Sequence, residues 1–234
     1  MFTFAPKGVE PELKLYYLYL LHTCMKPITD INQLDLTKSY TYTDYLTWQF
    51  QERVELILGK IFKMSPAPTS RHQYAVSVIQ ATVFHFLKGK PCKVFPAPFD
   101  VTLPNASGVN NTVLQPDITV VCDPSKITEQ GCHGTPDLVV EVISKSSVKK
   151  DLHEKYSVYE NAGVKEYWIV NPHDRSLIIF ILDEMNHYQP SKPLTRGDKA
   201  HSIVLPGFEL DLDELFVDVV EEPEASYPEG TVRI

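Results

Sequence analysis

Residues 136–167, PDLVVEVISKSSVKKDLHEKYSVYENAGVKEY, constrain the fold of this chain more than any other stretch. They place one acid, Glu141, inside an otherwise apolar predicted strand. A predicted helix follows, and its spacing puts Lys155 on the same apolar face as Tyr159 and Ala162. Burying a charge without a partner is costly. An acid and a lysine that both point inward therefore predict a functional site, most simply one that binds a divalent metal ion and acts on phosphate groups.

The order of the predicted elements indicates the fold class. Two extended runs meet at residues 58–59 and predict a hairpin, and a long helix ends near Leu87. Extended runs at 112–123 and 137–144 precede the helix that ends at Ala162, and a last pair of strands follows it. This order predicts an α/β (α+β) sandwich with a mixed central sheet flanked by helices, rather than a regular doubly wound parallel sheet.

The domain organisation is read from composition. Residues 37–220 are predicted to form one domain, with a helical extension at 1–36 and an acidic surface tail at 221–234. The extension contains the apolar segment LKLYYLYLLHTCM, which is shorter than the roughly 20 residues that a transmembrane helix needs. We expect this segment to pack on the domain or on a second subunit, and we expect no contact of the chain with a membrane.

Charge and cysteine usage narrow the function classes. A net charge of −8 argues against a general nucleic-acid coat protein, but it leaves room for a nuclease, whose active site needs only a local basic rim. The four cysteines lack CxxC spacing and no secretory leader precedes them, which predicts reduced thiols and a cytoplasmic protein. A zinc site at Cys122, Cys132 and His133 fits no common ligand spacing.

Two predicted strands each begin with Pro–Asp, at Asp117 and Asp137. If these strands pair antiparallel, Asp117 lies beside Glu141, whereas Asp137 lies about 13 Å from Glu141 along the same strand. Neighbouring carboxylates repel unless a cation or a proton separates them. Mg²⁺ or Mn²⁺ suits such oxygen ligands, and the backbone carbonyl of Val142 offers a third. The alternative to a metal-binding role is that Glu141 is a strand acid paired with a nearby base. Asp137 is expected to serve the strand entry or the loop.

The helix after this strand has its own local signals. Asp151 and Glu154 stand in the positions of a capping box, which predicts a helix from about Leu152. Lys155 is expected to orient a nucleophilic water or to offset charge in a transition state. Alternatively, its alkyl stem packs while its amine reaches solvent.

Two further residues have open interpretations. Glu55 lies in VELILG and reads by default as a solvent-facing strand acid. His72 stands at the start of the long helix, where it acts either as a surface or cap residue or, together with Arg71, as a phosphate contact at a helix N-terminus.

The segments TYTDYLTWQFQERVELILGKIFKMSPAPTSRHQ, QPDITVVCD and PDLVVEVISKSSVKKDLHEKYSVYENAGVKEYWIVNP, taken together, resemble the Uma-two family of restriction endonucleases, within the PD-(D/E)XK nuclease superfamily. The resemblance covers roughly residues 40–190. It implies a restriction-endonuclease-like core, a mixed central sheet flanked by helices. It also implies cleavage of phosphodiester bonds of DNA with Mg²⁺ or Mn²⁺, and the apolar extension allows the homodimer that is usual for restriction-type nucleases.

The resemblance assigns roles position by position. Asp117 matches the family's PD aspartate and Glu141 its EV glutamate, and both are expected to bind the metal. Lys155 matches the helix lysine, and Glu55 matches an acid that completes the site directly or through water.

The chain also departs from the family pattern. Ile143 occupies the position two residues after Glu141 where many nucleases of the superfamily carry the lysine, and Lys145 is a second candidate lysine. The alternative function is a catalytically silent nuclease-fold module for binding or interaction, which the acidic net charge and the lack of a basic recognition helix favour.

Overall fold

The structure of the chain is a computed structural model that describes four stretches: 27–64, 68–105, 107–143 and 150–219. The predicted acidic tail, most of the predicted N-terminal extension and the candidate Lys145 lie outside the described residues. Among the described residues, no helix is both long enough and apolar enough to cross a bilayer.

The helices and strands alternate irregularly along the chain. The α-helices are α1 (Tyr42–Tyr45), α2 (Ser70–Phe86), α3 (Tyr156–Ala162) and α4 (Leu212–Leu215). The strands are β1 (Val54–Ile57), β2 (Lys60–Lys63), β3 (Lys93–Pro96), β4 (Asp100–Pro104), β5 (Asn110–Leu114), β6 (Ile118–Val121), β7 (Ile127–Thr128), β8 (Gly131–His133), β9 (Leu138–Val142), β10 (Glu166–Asn171), β11 (Ser176–Leu182), β12 (Tyr188–Pro190), β13 (Lys199–His201) and β14 (Glu209–Asp211). Short 3₁₀ turns occur at Ile31–Gln33 and Pro124–Lys126.

The chain divides into two compact units. One comprises Met1–Met64 and Val101–Leu114, and the other comprises Ser65–Asp100 and Gln115–Ile234. In the first unit, β1 pairs antiparallel with both β2 and β5, and β5 pairs antiparallel with β4. The predicted hairpin is confirmed, with Leu58 and Gly59 at φ values of 48° and 80° in its turn. A Cβ at Gly59 would lie 2.0 Å from Ser39 Oγ, so this turn requires glycine.

Strand β1 differs from its expected exposure. All of its residues are buried, and Glu55 has no exposed surface. The expectation that Glu55 faces solvent is therefore wrong. A strand that is covered on both faces carries no polar–apolar alternation, so alternation could not reveal the burial of this acid.

The second unit is built on a mixed sheet with the strand order β12-β11-β10-β9-β6-β3. Strands β9 and β10 are parallel and the other neighbours are antiparallel, which confirms the predicted mixed sheet. Strands β6 and β9 pair antiparallel with Ile118 opposite Val140. The predicted pairing of the two strands that follow the Pro–Asp dipeptides is thus confirmed.

Helix α2 covers one face of this sheet. Its buried residues Ala75, Ile79 and Val83 share a core with Val140 and Val142 of β9. The predicted long helix is confirmed, and the side chain of Thr69 caps it by accepting a hydrogen bond from the N–H of His72. Because side chains alternate along a strand, Glu141 points away from this core.

The helix after β9 begins differently from the prediction. A wide π-helical turn, Lys150–Lys155, runs directly into α3, whose N-cap Lys155 makes no side-chain capping bond. The helix expected from about Leu152 therefore has a different first turn, since a preceding helical turn already supplies carbonyl partners for its N–H groups. The predicted end is confirmed, because Gly163 caps α3 in the left-handed conformation at φ 79°.

The cysteines also differ from the prediction. Cys92 and Cys122 form a disulfide across the ends of β3 and β6, with their Cα atoms 3.8 Å apart. The expectation of reduced thiols is therefore wrong for this pair, because cross-strand neighbours need no CxxC spacing. Cys132 is free and buried, and burial raises the pKa of its thiol to about 11.

Candidate active site

Asp117 stands immediately before β6, at the end of the β6–β9 ladder. Its Oδ2 accepts a hydrogen bond from the backbone N–H of Val142 at 2.8 Å. The ladder pairs Ile118 with Val140, so one further step brings Asp117 to the level of Glu141. The structure therefore brings the two predicted metal-binding acids to the same end of one strand pair.

His72 contacts the same carboxylate from α2. Its Nε2 lies 3.2 Å from Asp117 Oδ2, and its side chain is mostly buried. Its other ring nitrogen, Nδ1, is buried and makes no hydrogen bond to any residue that the structure describes. The sequence placed His72 at a helix start but gave no signal for this contact, since the contact depends on how α2 packs over the end of the sheet.

Glu141 is held by two donors from the following helix. Lys155 Nζ and Tyr159 Oη both lie 2.8 Å from Glu141 Oε1. The side chains of Lys155 and Glu141 are only 4% and 5% exposed, so the lysine does not reach solvent in the way that snorkelling predicts. The interpretation of Glu141 as a strand acid with a basic partner and its interpretation as a site acid both agree with this geometry.

Tyr159 is a further site residue that sequence reasoning placed on the correct face but treated as packing. It is fully buried, and its ring lies 5.0 Å from that of Tyr167. The spacing of four residues between Lys155 and Tyr159 brings both side chains to one face of the helix. The same spacing was the available signal that a second donor would reach Glu141.

The remaining predicted residues occupy other positions. Asp137 accepts hydrogen bonds from Cys122 N at 2.7 Å and from Lys165 Nζ at 2.9 Å, which confirms its expected role at the strand entry. Glu55 lies in β1 of the first unit, whereas Asp117, Glu141 and Lys155 lie in the second.

The donor chemistry of the site suits a hard cation. The N–H of Val142 and the ring of His72 both approach Oδ2 of Asp117, which turns that oxygen toward the protein. Among the described stretches of the chain, no group of three or more His, Cys, Asp and Glu side chains is arranged as metal ligands. A cation here would therefore need main-chain or water oxygens in addition to carboxylates, as magnesium sites commonly have.

Comparison with known proteins shows which family the chain belongs to. A family model described as "Putative restriction endonuclease" matches residues 42–213. The chain belongs to this family. Membership confirms the resemblance seen in the sequence and supports a nuclease function in general. The "Uncharacterized protein slr1290" of Synechocystis sp. is 30% identical to the chain over 132 residues, which are 55% of this chain and 66% of that protein. The match thus spans slightly less than two thirds of that relative.

A solved structure shares the fold of this restriction endonuclease family member. The crystal structure of a protein described as a "putative nuclease belonging to DUF820" from Anabaena variabilis superposes with a TM-score of 0.61. The two sequences are 18% identical, and the match covers 76% of this chain and 97% of that chain. The α+β fold with a mixed sheet is therefore shared with that solved structure.

Proposed function

We propose that this chain is a metal-dependent endonuclease that hydrolyses phosphodiester bonds of DNA with Mg²⁺ or Mn²⁺. Family membership supports a nuclease function. The observation that carries the proposal is the buried pair of Glu141 and Lys155, which lies next to the peptide N–H that binds Asp117. A buried ion pair is weak evidence for a role in stability, because desolvating both charges offsets their attraction. A role in catalysis explains the burial of Glu141 and Lys155 better than a role in stability does.

The acids have the proposed role of holding the cation. Asp117 and Glu141 would bind it through carboxylate oxygens, and the carbonyl of Val142 would supply a third oxygen. Mg²⁺ and Mn²⁺ both prefer such ligands. A bound cation polarises the scissile phosphate and lowers the pKa of a bound water.

The other residues act around the acids. Lys155, held by Glu141 at 2.8 Å, is proposed to orient the attacking water and to offset the negative charge that develops on the phosphate. The chain is also proposed to act as a homodimer, which light scattering would test.

Plasmid cleavage tests the proposal. The purified chain should cut supercoiled DNA only when Mg²⁺ or Mn²⁺ is added, and Glu141→Gln and Asp117→Asn should each abolish cutting. Asp137→Asn is the matched control, since Asp137 lies at the other end of β9 and binds Cys122 N and Lys165. Cleavage by folded Glu141→Gln at the rate of the unmodified chain would contradict the proposal.

A nuclease-fold module that binds without cutting is the second candidate. The direct ion pair of Lys155 with Glu141 favours it, because the acid already has a cationic partner. The net charge of −8 favours it too. Isothermal titration separates the candidates: binding of Mn²⁺ without cleavage of any DNA or RNA would identify the module.

A further inference from the structure

The imidazole of His72 lies against the carboxylate of Asp117. Nε2 is the ring nitrogen that faces it, 3.2 Å from Oδ2, and a deprotonated carboxylate offers this nitrogen only acceptor atoms. The backbone N–H of His72 is itself tied to Thr69 Oγ1 at 3.3 Å, which fixes the first turn of α2. The ring of His72 therefore reaches the carboxylate from the capped start of α2.

The other ring nitrogen of His72 faces a different environment. Nδ1 is buried, and within the described stretches of the chain it has no hydrogen-bond partner. Native proteins leave few buried polar groups unsatisfied, and such groups are often found where a residue serves catalysis or binding. A side chain kept for packing alone would be apolar at this position, so the contact with Asp117 is the feature that accounts for a histidine here.

Asp117 Oδ2 is approached from two different elements. The N–H of Val142, in β9, donates a hydrogen bond to it, and His72 Nε2, in α2, lies 3.2 Å from it. Contacts from two sides restrict the movement of this carboxyl group, and neither contact uses its other oxygen, Oδ1. Carboxylates that bind metals are commonly held in this way by neighbouring donors, which set their orientation.

We propose that His72 is a positioning residue of the active site: its Nε2–H holds Asp117 so that Oδ1 is presented to the divalent cation. This inference rests on the proposed metal-dependent function and adds a residue to it. His72 itself contacts neither the metal nor the substrate in this role.

Three substitutions at residue 72 test the role of the donated hydrogen bond. His72→Gln keeps an N–H donor at a reach similar to that of Nε2, His72→Asn is too short to reach, and His72→Leu has no donor. The Mn²⁺ dissociation constant is measured by isothermal titration for each folded variant. We expect His72→Leu and His72→Asn to weaken Mn²⁺ binding about 10- to 100-fold, which is the usual effect of losing such a donor. His72→Gln should retain most of the affinity.

Cleavage kinetics and thermal unfolding complete the test. The Mn²⁺ concentration for half-maximal cleavage should rise in His72→Leu, while its melting temperature should not fall, because the unsatisfied Nδ1 is removed with the ring. Wild-type Mn²⁺ affinity in His72→Leu, or equal loss in His72→Gln and His72→Leu, would overturn the inference and leave the nuclease proposal standing. Failure of the unmodified chain to bind Mn²⁺ would overturn both.

Discussion

Lys155 and Glu141 form an ion pair that is almost entirely withdrawn from water, with Nζ 2.8 Å from Oε1. The lysine comes from the junction of a π-helical turn with α3, and the acid comes from the centre of the sheet. Because neither charge is hydrated, the stability of this region depends on keeping both partners or neither.

Removing one partner of this pair should destabilise the chain strongly. Lys155→Met removes the ammonium group that faces the buried carboxylate of Glu141, and we expect a loss of about 3–5 kcal/mol in the free energy of unfolding. The double variant Lys155→Met with Glu141→Leu should lose clearly less than the sum of the single changes. Urea denaturation measures all of these values. Additive losses would contradict the coupling.

An exposed pair provides the control for this prediction. Lys63 and Glu52 lie 3.7 Å apart and are 58% and 50% exposed. Lys63→Met should change the free energy of unfolding by about 0–1 kcal/mol, because water already solvates both charges.

Tyr159→Phe should cost more stability than Tyr188→Phe. The hydroxyl of Tyr159 donates to the carboxylate of Glu141, whereas the hydroxyl of Tyr188 donates to the carbonyl of Val164 at 2.9 Å. Both rings are buried, so the two substitutions differ mainly in the charge of the acceptor. We expect losses of about 1.5–3 kcal/mol and about 0.5–1.5 kcal/mol, respectively. Chemical denaturation measures both, and equal losses would argue against an ionised Glu141.

Glu166 should make the stability of the chain depend on pH. This carboxyl group is fully buried, and burial raises its pKa above the ordinary value of 4.5. Hydrogen bonds from Val204 N, Trp168 Nε1, Ser202 Oγ and Ile203 N oppose that rise without cancelling it.

The sign of this dependence follows from proton linkage. With a raised pKa, the folded state binds more protons than the unfolded state at pH values above 4.5. The contribution of Glu166 is therefore fully present below that pH and is lost as the pH rises through the folded-state pKa. Glu166→Gln should flatten this part of the curve of unfolding free energy against pH, and an unchanged slope would contradict the assignment.

Cys132 should be unreactive in the folded chain. Its thiol is buried, and its pKa of about 11 keeps it neutral near pH 8, where only the thiolate attacks thiol reagents. In a Cys24→Ser background, native protein should show negligible labelling by iodoacetamide in mass spectrometry, and urea should expose the thiol. Rapid labelling of the native protein would contradict this prediction and would show that β8, the strand that contains Cys132, opens readily.

Parts of the site could be predicted from sequence because they depend on local periodicity. The placement of Asp117 beside Glu141 was conditional on antiparallel pairing of the two strands that follow Pro–Asp, and the pairing of Ile118 with Val140 meets this condition. The helical spacing of Lys155 and Tyr159 implied a shared inward face, and both residues are buried. Period-2 and period-3.6 patterns carry this information within a single stretch of chain.

Other parts depend on contacts between distant stretches, which no local pattern encodes. His72 reaches Asp117 because α2 lies over one end of the sheet, and Cys92 meets Cys122 because β3 pairs with β6. Glu55 is buried although its strand neighbours gave no sign of it. Each of these outcomes follows from the packing of whole elements rather than from residue spacing.

The bond from Val142 to Asp117 uses a main-chain donor, and this has a consequence for variation at the site. The side chain of Val142 belongs to the core beneath α2, whereas its N–H serves the acid. Different atoms of one residue thus meet the two demands. Any apolar replacement that fits the core keeps the bond, and only proline, which has no N–H, deletes it. Residue 142 can therefore change among hydrophobic residues during evolution without loss of the hydrogen bond to Asp117.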